Sequence, residues 1–317
     1  MVVPKTKIAG WFFFSVIAIV GLWLLPDEHG SYPVPVSNLL GQVFHEGLTP
    51  ESALSKYDAR QLRVLIVPGH DPEYYGAQFG RLKESDLTLA LGRELARYLS
   101  ADGHFQVFST RDWATGRYWP EFEDYFSREA DAIRSFRSNL RSRFASLVSA
   151  GAVAEKSVVD HNFARDEVAI RLYGINKWAN ERDIDLVIHL HFNDYPGRPR
   201  AKRGRYRGFS IYVPEQQLPN HFLSKGVAEA VQQKLALISP VSNFPLESAG
   251  VIEDQELIAV GANASRVGGS LLIEYGYIYE AQFTNPVWRD QLLDKFAWQT
   301  AVGIDDYFAA ARPEIGR

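Results

Sequence analysis

Four ionisable residues are each expected at one rim of a β-sheet. His70 follows the strand-like run Arg63–Val67 through Pro68-Gly69, His191 ends the run Asp185–Leu190, and Glu274 ends Ser270–Ile273. In open α/β sheets ligands bind beyond the carboxyl ends of the strands. Glu84 opens the helix after the first strand, and that helix's amino end should return towards a sheet edge. Two imidazoles and one carboxylate with an open fourth position suit a catalytic zinc ion. Such an ion acidifies a water towards neutral pH and polarises a carbonyl. A second carboxylate, off the metal, is then needed to take and return a proton.

The residues alone leave choices open. His189 and His191 are two apart and share one face of the strand. His191 is nearer the carboxyl end and is preferred, leaving His189 as a core histidine with hydrogen-bonded ring nitrogens. His70 could be an ordinary loop residue, and Glu84 an acidic first-turn residue favoured by the helix dipole. Glu274 is harder to explain away, because a carboxylate closing a buried strand needs a partner.

Composition narrows the chemistry further. The 317 residues include no cysteine, which excludes disulfides, thiolate metal sites and cysteine nucleophiles. Any metal must be held by His, Asp or Glu. The formal net charge of -4 does not favour polyanion binding, and a nucleic-acid partner is not expected.

The elements that must position these residues follow from periodicity. Leu87, Leu91, Leu95 and Leu99 recur every four residues and predict a helix over 84–100. Helices are also expected over 166–182, 221–238 and 286–311, and strands over 63–67, 105–109, 185–190, 209–213 and 270–274. Alternation of this kind predicts a largely parallel sheet covered on both faces. The stretch 113–165 breaks the alternation and is expected as a helical insertion at one sheet edge, since structureless loops of that size are uncommon.

Ahead of this domain, Ile8 to Leu25 is an 18-residue run without a charge. Its length approaches the ~30 Å hydrocarbon thickness of a bilayer. Lys5 and Lys7 precede it and Asp27 and Glu28 follow it, which puts the amino terminus inside and the rest outside. The expected organisation is a membrane anchor over 1–26, a linker over 27–62 and a catalytic domain over 63–312. The protein would then be a single-pass membrane protein with an extracytoplasmic domain. A cleaved signal peptide is the alternative.

Four segments together resemble the zinc-dependent N-acetylmuramoyl-L-alanine amidases of cell-division and sporulation hydrolases. They are Val64-Leu65-Ile66-Val67-Pro68-Gly69-His70, Lys83-Glu84-Ser85-Asp86-Leu87, Asp185 to Asn193 with its His191-Phe192-Asn193 ending, and Leu271-Leu272-Ile273-Glu274-Tyr275-Gly276-Tyr277-Ile278. Thr110-Arg111-Asp112 and Ala179-Asn180 are lesser echoes. The resemblance implies a three-layer α/β/α sandwich around a mixed sheet, with zinc held by His70, Glu84 and His191 and with Glu274 as catalytic acid/base. It implies peptidoglycan as substrate, cut at the amide between N-acetylmuramic acid and L-alanine.

The chain departs from the family in places. Asp71-Pro72-Glu73-Tyr74-Tyr75 stands where glycines usually follow the histidine, His189 replaces a small residue, and Tyr279 stands where Asn is frequent. A zinc peptidase acting on stem peptides, or a non-catalytic wall-binding protein on the same scaffold, are the competing functions. Two accessory readings remain. Arg198, Arg200, Lys202, Arg203, Arg205 and Arg207 form either a solvated loop or a contact for anionic wall polymer. The insertion is either edge packing, or a lid or docking surface for a protein activator.

Overall fold

The computed structural model describes residues 48–156, 164–194, 198–199 and 201–310. The expected anchor over 1–26, most of the linker, and Arg200 lie outside the described residues. Among the described residues no helix is long and apolar enough to cross a membrane.

The elements run α1 (Pro50–Asp58), β1 (Leu62–Pro68), β2 (Gln78–Phe79), β3 (Leu82–Lys83), α2 (Glu84–Asp102), β4 (Phe105–Ser109), α3 (Pro120–Arg128), α4 (Ala130–Ser149), α5 (Asp166–Glu181), β5 (Leu186–Asn193), β6 (Ser210–Pro214), α6 (His221–Leu235), β7 (Val251–Asp254), β8 (Gly269–Tyr277), α7 (Ala281–Thr284) and α8 (Pro286–Ala310). The six-stranded sheet has the order β4-β1-β5-β8-β6-β7. Its pairings are parallel except β6 against β8, so β6 and β7 run opposite to the rest. This is a mixed α/β fold with a mostly parallel central sheet.

Burial explains why the central strands read as continuous apolar runs. Val64 and Ile66 of β1 join Leu186, Ile188 and Leu190 of β5 in one core cluster, packed by α2, α6 and α8. Leu65, Val67 and Val187 point the other way, into a cluster with Phe122, Tyr125, Ile133, Tyr173 and Trp178 from α3, α4 and α5. A strand covered on both faces has no polar side to show. In α2 the four leucines at four-residue spacing are all buried, each stabilising by roughly 1.5–3 kcal/mol. Gly103, at φ +82°, ends that helix in the left-handed conformation glycine adopts without strain.

The insertion is helical, as α3 and α4, and its apolar face is part of the core. Phe122 and Ile133 are fully buried. The β2–β3 hairpin and the short strand β7 are elements the periodicity argument did not anticipate. Strands of two to four residues carry too few positions to show alternation.

Helix α1 sits at the amino-terminal rim of the sheet. Thr49 caps it, accepting the Ser52 N–H at 3.2 Å, and Pro50 occupies its first turn. Tyr57 stacks on Phe308 of α8 and hydrogen-bonds Asp305, while Lys56 pairs with the buried Asp185 ahead of β5.

Candidate active site

The carboxyl-terminal rim gathers His70, Glu84 and His191. Their ligating atoms lie within 4.8 Å of one another. His70 Nε2 is 3.2 Å from Glu84 Oε2, and His191 Nδ1 is 2.9 Å from Glu84 Oε1. The carboxylate is thus shared between two imidazoles whose rings stand edge-on, 5.2 Å apart. Glu84 is almost wholly buried, with its side chain 4% exposed, whereas those of His70 and His191 are 34% and 19% exposed. The trio is therefore anchored on the protein side and open on the solvent side.

Each member is held by its local fold. Glu84 is the first residue of α2, and the loop before it satisfies the helix's free N–H groups: Glu84 N–H donates to the Ala77 carbonyl and Ser85 N–H to that of Tyr75. In return Glu84 accepts the N–H of Ala77 at Oε2 and of Phe192 at Oε1. His191 lies within β5, which extends to Asn193, beyond the Leu190 boundary expected from sequence. His70 has φ +62°, a left-handed conformation that costs a non-glycine residue about 1–3 kcal/mol and persists only where surroundings enforce it. Arg111, buried beside β4, reaches the carbonyls of Gly69 at 3.4 Å and Ser85 at 3.3 Å, bracing the residues next to His70 and Glu84.

Electrostatics couples the trio. Burial pushes Glu84 upward, but the two imidazoles outweigh it and hold the carboxyl well below the usual carboxylate range. Burial opposes protonation of His70 as well, yet Glu84 and Asp71 leave its pKa raised. Glu274 is the opposite case. It pairs in register with His191 across β5 and β8, is partly buried, and its enclosed Oε2 has no hydrogen bond among the described residues. Burial first, then the charges of Glu84 and Glu247, raise its pKa well above normal. Two carboxyls pushed in opposite directions are the pattern expected where one holds charge and the other handles a proton.

Two kinds of observation test whether these residues fit a zinc ion. The donors are two nitrogens and one carboxylate with an exposed side, a catalytic rather than a closed structural set. The backbone also leaves the trio room where side chains would intrude. A Cβ on Gly76 would sit 2.3 Å from Glu84 Oε2 and 2.4 Å from His70 Cδ2, and one on Gly69 would sit 2.5 Å from His191 Cε1. The residues fit the ion. One other group, Asp102, His104 and Asp305, has ligand atoms as close together among the described residues. It lies at the opposite rim, where Asp102 already bonds His104 and Asp305 bonds Tyr57.

A family model described as N-acetylmuramoyl-L-alanine amidase matches residues 64–306. The chain belongs to that amidase family. It is accordingly a hydrolase of the amidase type. Among solved structures, the CwlD amidase of Clostridioides difficile, in complex with the GerS lipoprotein, is similar at 15% identity and a TM-score of 0.51, covering 78% of this chain and 98% of that one. The AmiC2 amidase of Nostoc punctiforme is similar at 17% identity and a TM-score of 0.47, covering 78% and 97%. The Ami1 amidase of Mycobacterium smegmatis is similar at 14% and 0.49, covering 78% and 97%. No curated protein matches. At these identities the structural likeness speaks to the amidase fold alone.

Several residues of this amidase site were not anticipated. Glu247, buried in a short turn between α6 and β7, accepts hydrogen bonds from Asn193, Tyr212, Ser242 and Tyr277 and acts electrostatically on Glu274. Its segment Phe244-Pro245-Leu246-Glu247 has no periodicity that could have marked it. His189 is buried as expected, but neither ring nitrogen has a hydrogen-bond partner among the described residues, contrary to the expectation of bonded nitrogens. Burial, with His191 and Arg266, depresses its pKa to about 3, so it stays neutral. In the basic loop, Arg198 is clamped to Asp194 and to the Gln78 carbonyl, and Arg203 to the Tyr279 carbonyl. These two cations tie the loop to the hairpin and to the end of β8.

Proposed function

We propose that this amidase is a zinc enzyme that hydrolyses the amide between the lactyl group of N-acetylmuramic acid and L-alanine in peptidoglycan. The observation that carries the reading is the convergence of His70, Glu84 and His191 beside a partly buried Glu274 whose Oε2 has no hydrogen bond among the described residues. His70, Glu84 and His191 would hold the ion. When bound, zinc supplies a Lewis acid for the carbonyl and a water acidified towards neutral pH. Glu84, fixed by two backbone N–H groups, keeps both imidazoles oriented. Glu274 takes the proton of the attacking water and returns it to the departing amine, a role suited to a carboxyl whose pKa is displaced upward. Glu247 opposes a second negative charge beside it and so favours that proton's retention.

The domain organisation belongs to the same reading. Residues 1–26 anchor the chain in the cell membrane, the chain between them and α1 forms the tether, and the domain from α1 onward acts outside the cytoplasm on the wall. Control by a protein activator is part of the proposal too, and the lipoprotein complex of the Clostridioides difficile amidase gives it a precedent. The test is digestion of purified peptidoglycan by metal-defined protein, followed by mass spectrometry. Free lactyl ends and L-alanine amines are expected with zinc. Cleavage only within stem peptides would replace this reading with that of a zinc peptidase.

A further inference from the structure

The loop between His70 and Glu84 differs from the glycine-rich form expected for the family, and the residues that replace the glycines make a specific structure. Asp71 Oδ1 accepts the backbone N–H groups of Glu73 and Tyr74, both at 2.8 Å. The Asp71 N–H donates to the Tyr74 carbonyl at 3.2 Å, closing a tight turn. The loop then continues through Tyr75 and Ala77, whose carbonyls accept the N–H groups of Ser85 and Glu84. One short segment therefore follows directly on His70 and sets the entry of Glu84 into its helix.

What holds the segment is the other oxygen of Asp71. Its Oδ2 lies 3.1 Å from Arg171 Nη1, and the Asp71 side chain is only 9% exposed. Arg171 is on α5, the helix against which the insertion packs, and its guanidinium lies 5.8 Å from the Tyr74 ring and 5.7 Å from that of Tyr118. A partly buried carboxylate with one cationic partner is strongly held while the partner stays and costly once it leaves. The left-handed backbone of His70 needs such enforcement from its neighbours.

We propose that the Asp71–Arg171 ion pair is a positioning device: it clamps the 71–77 loop to α5 so that His70 keeps the left-handed backbone, and Glu84 the helix entry, that bring their ligating atoms together. The inference rests on the metal reading of the site. It concerns residues outside the trio, and it makes α5 and the insertion behind it mechanical supports of metal binding.

The experiment measures metal binding by the full chain, with Zn2+ alone by competition against a chromophoric chelator and with Co2+ alone by its visible spectrum. Loss of partners that orient metal ligands typically weakens affinity about 10–100-fold. Arg171→Met and Asp71→Ala should each fall in that range and alter the Co2+ spectrum. Arg171→Met added to Asp71→Ala should cause little further loss, because the two act through one link. Arg171→Lys, which keeps the charge, should recover most of the affinity. Unchanged affinity and spectrum in both single variants, or fully additive losses, would overturn the proposal and leave the pair as simple packing. If Arg171→Met fails to fold, Asp71→Asn carries the decision. It keeps the turn and weakens the link, and should bind several-fold more weakly, whereas affinity equal to the parent would refute the clamp. A parent protein that bound neither ion would sink the metal reading itself, an outcome distinct from parent binding with indifferent variants.

Discussion

Replacing Glu274 with glutamine removes a titrating proton from a carboxyl that is partly buried, lacks a hydrogen bond at its enclosed Oε2 among the described residues and faces the charges of Glu84 and Glu247. Its native pKa is raised above the unfolded value. The folded protein therefore keeps a proton that the unfolded chain releases once the pH passes about 4.3. From there up to the native pKa, wild-type stability falls with rising pH at up to about 1.4 kcal/mol per unit, and below the unfolded value the penalty is absent. Glutamine does not titrate, so the variant lacks that slope. For a domain of this size 1 kcal/mol moves Tm by roughly 2–4 °C, so the melting curves should diverge by roughly 3–5 °C per pH unit. The assay is thermal unfolding of the chelator-treated pair from pH 4 to 8, where groups common to both proteins cancel to first order. The same variant should retain bound zinc and lose about 10²–10⁴ in turnover on peptidoglycan, the usual worth of a positioned acid/base. Tm differences independent of pH would mean that Glu274 is ionised in the fold. Undiminished turnover would remove it from the reaction.

Other perturbations separate the metal, its cradle and the scaffold. Chelation should abolish wall digestion and lower Tm, and added Zn2+ at about 100 times its Kd should restore about 2.7 kcal/mol of stability, read by calorimetry. Gly76→Ala puts a methyl 2.3 Å from Glu84 Oε2 at a φ of +71°, so metal stoichiometry by mass spectrometry should fall below that of the parent. Phe122→Ala in the insertion should cost about 3–5 kcal/mol in denaturant unfolding, because the ring fills the core between α3 and the sheet.

Much of this was legible before any coordinates because it depends on local pattern. The leucines of α2 recur at helical spacing, and β1, β5 and β8 are apolar on both faces because helices cover both. Each of these strands carries a residue of the site near or just beyond its carboxyl end, which follows from topology once the strands are parallel. What could not be read depends on contacts between distant segments. Arg171 lies 100 residues from its partner Asp71, and neither position is unusual in its own helix or loop. Glu247 gathers partners from β5, β6, β8 and a connecting loop, and no short window contains more than two of them. The unbonded ring of His189 likewise follows from the packing around it, which spacing along β5 does not encode.

The position of α1 has a mechanical consequence. Leu48 hydrogen-bonds Val267 just ahead of β8, and α1 grips α8 and the start of β5, so the preceding chain joins the domain at the rim opposite Glu274. Five residue steps lead along β8 from Gly269 to Glu274, about 17 Å at 3.3–3.4 Å per residue. Any pull transmitted from that upstream segment is absorbed by an aromatic stack and a buried ion pair at the base of the domain. Under the proposed anchoring, the catalytic end would work on a stiff, heterogeneous polymer while the base of the domain takes the strain.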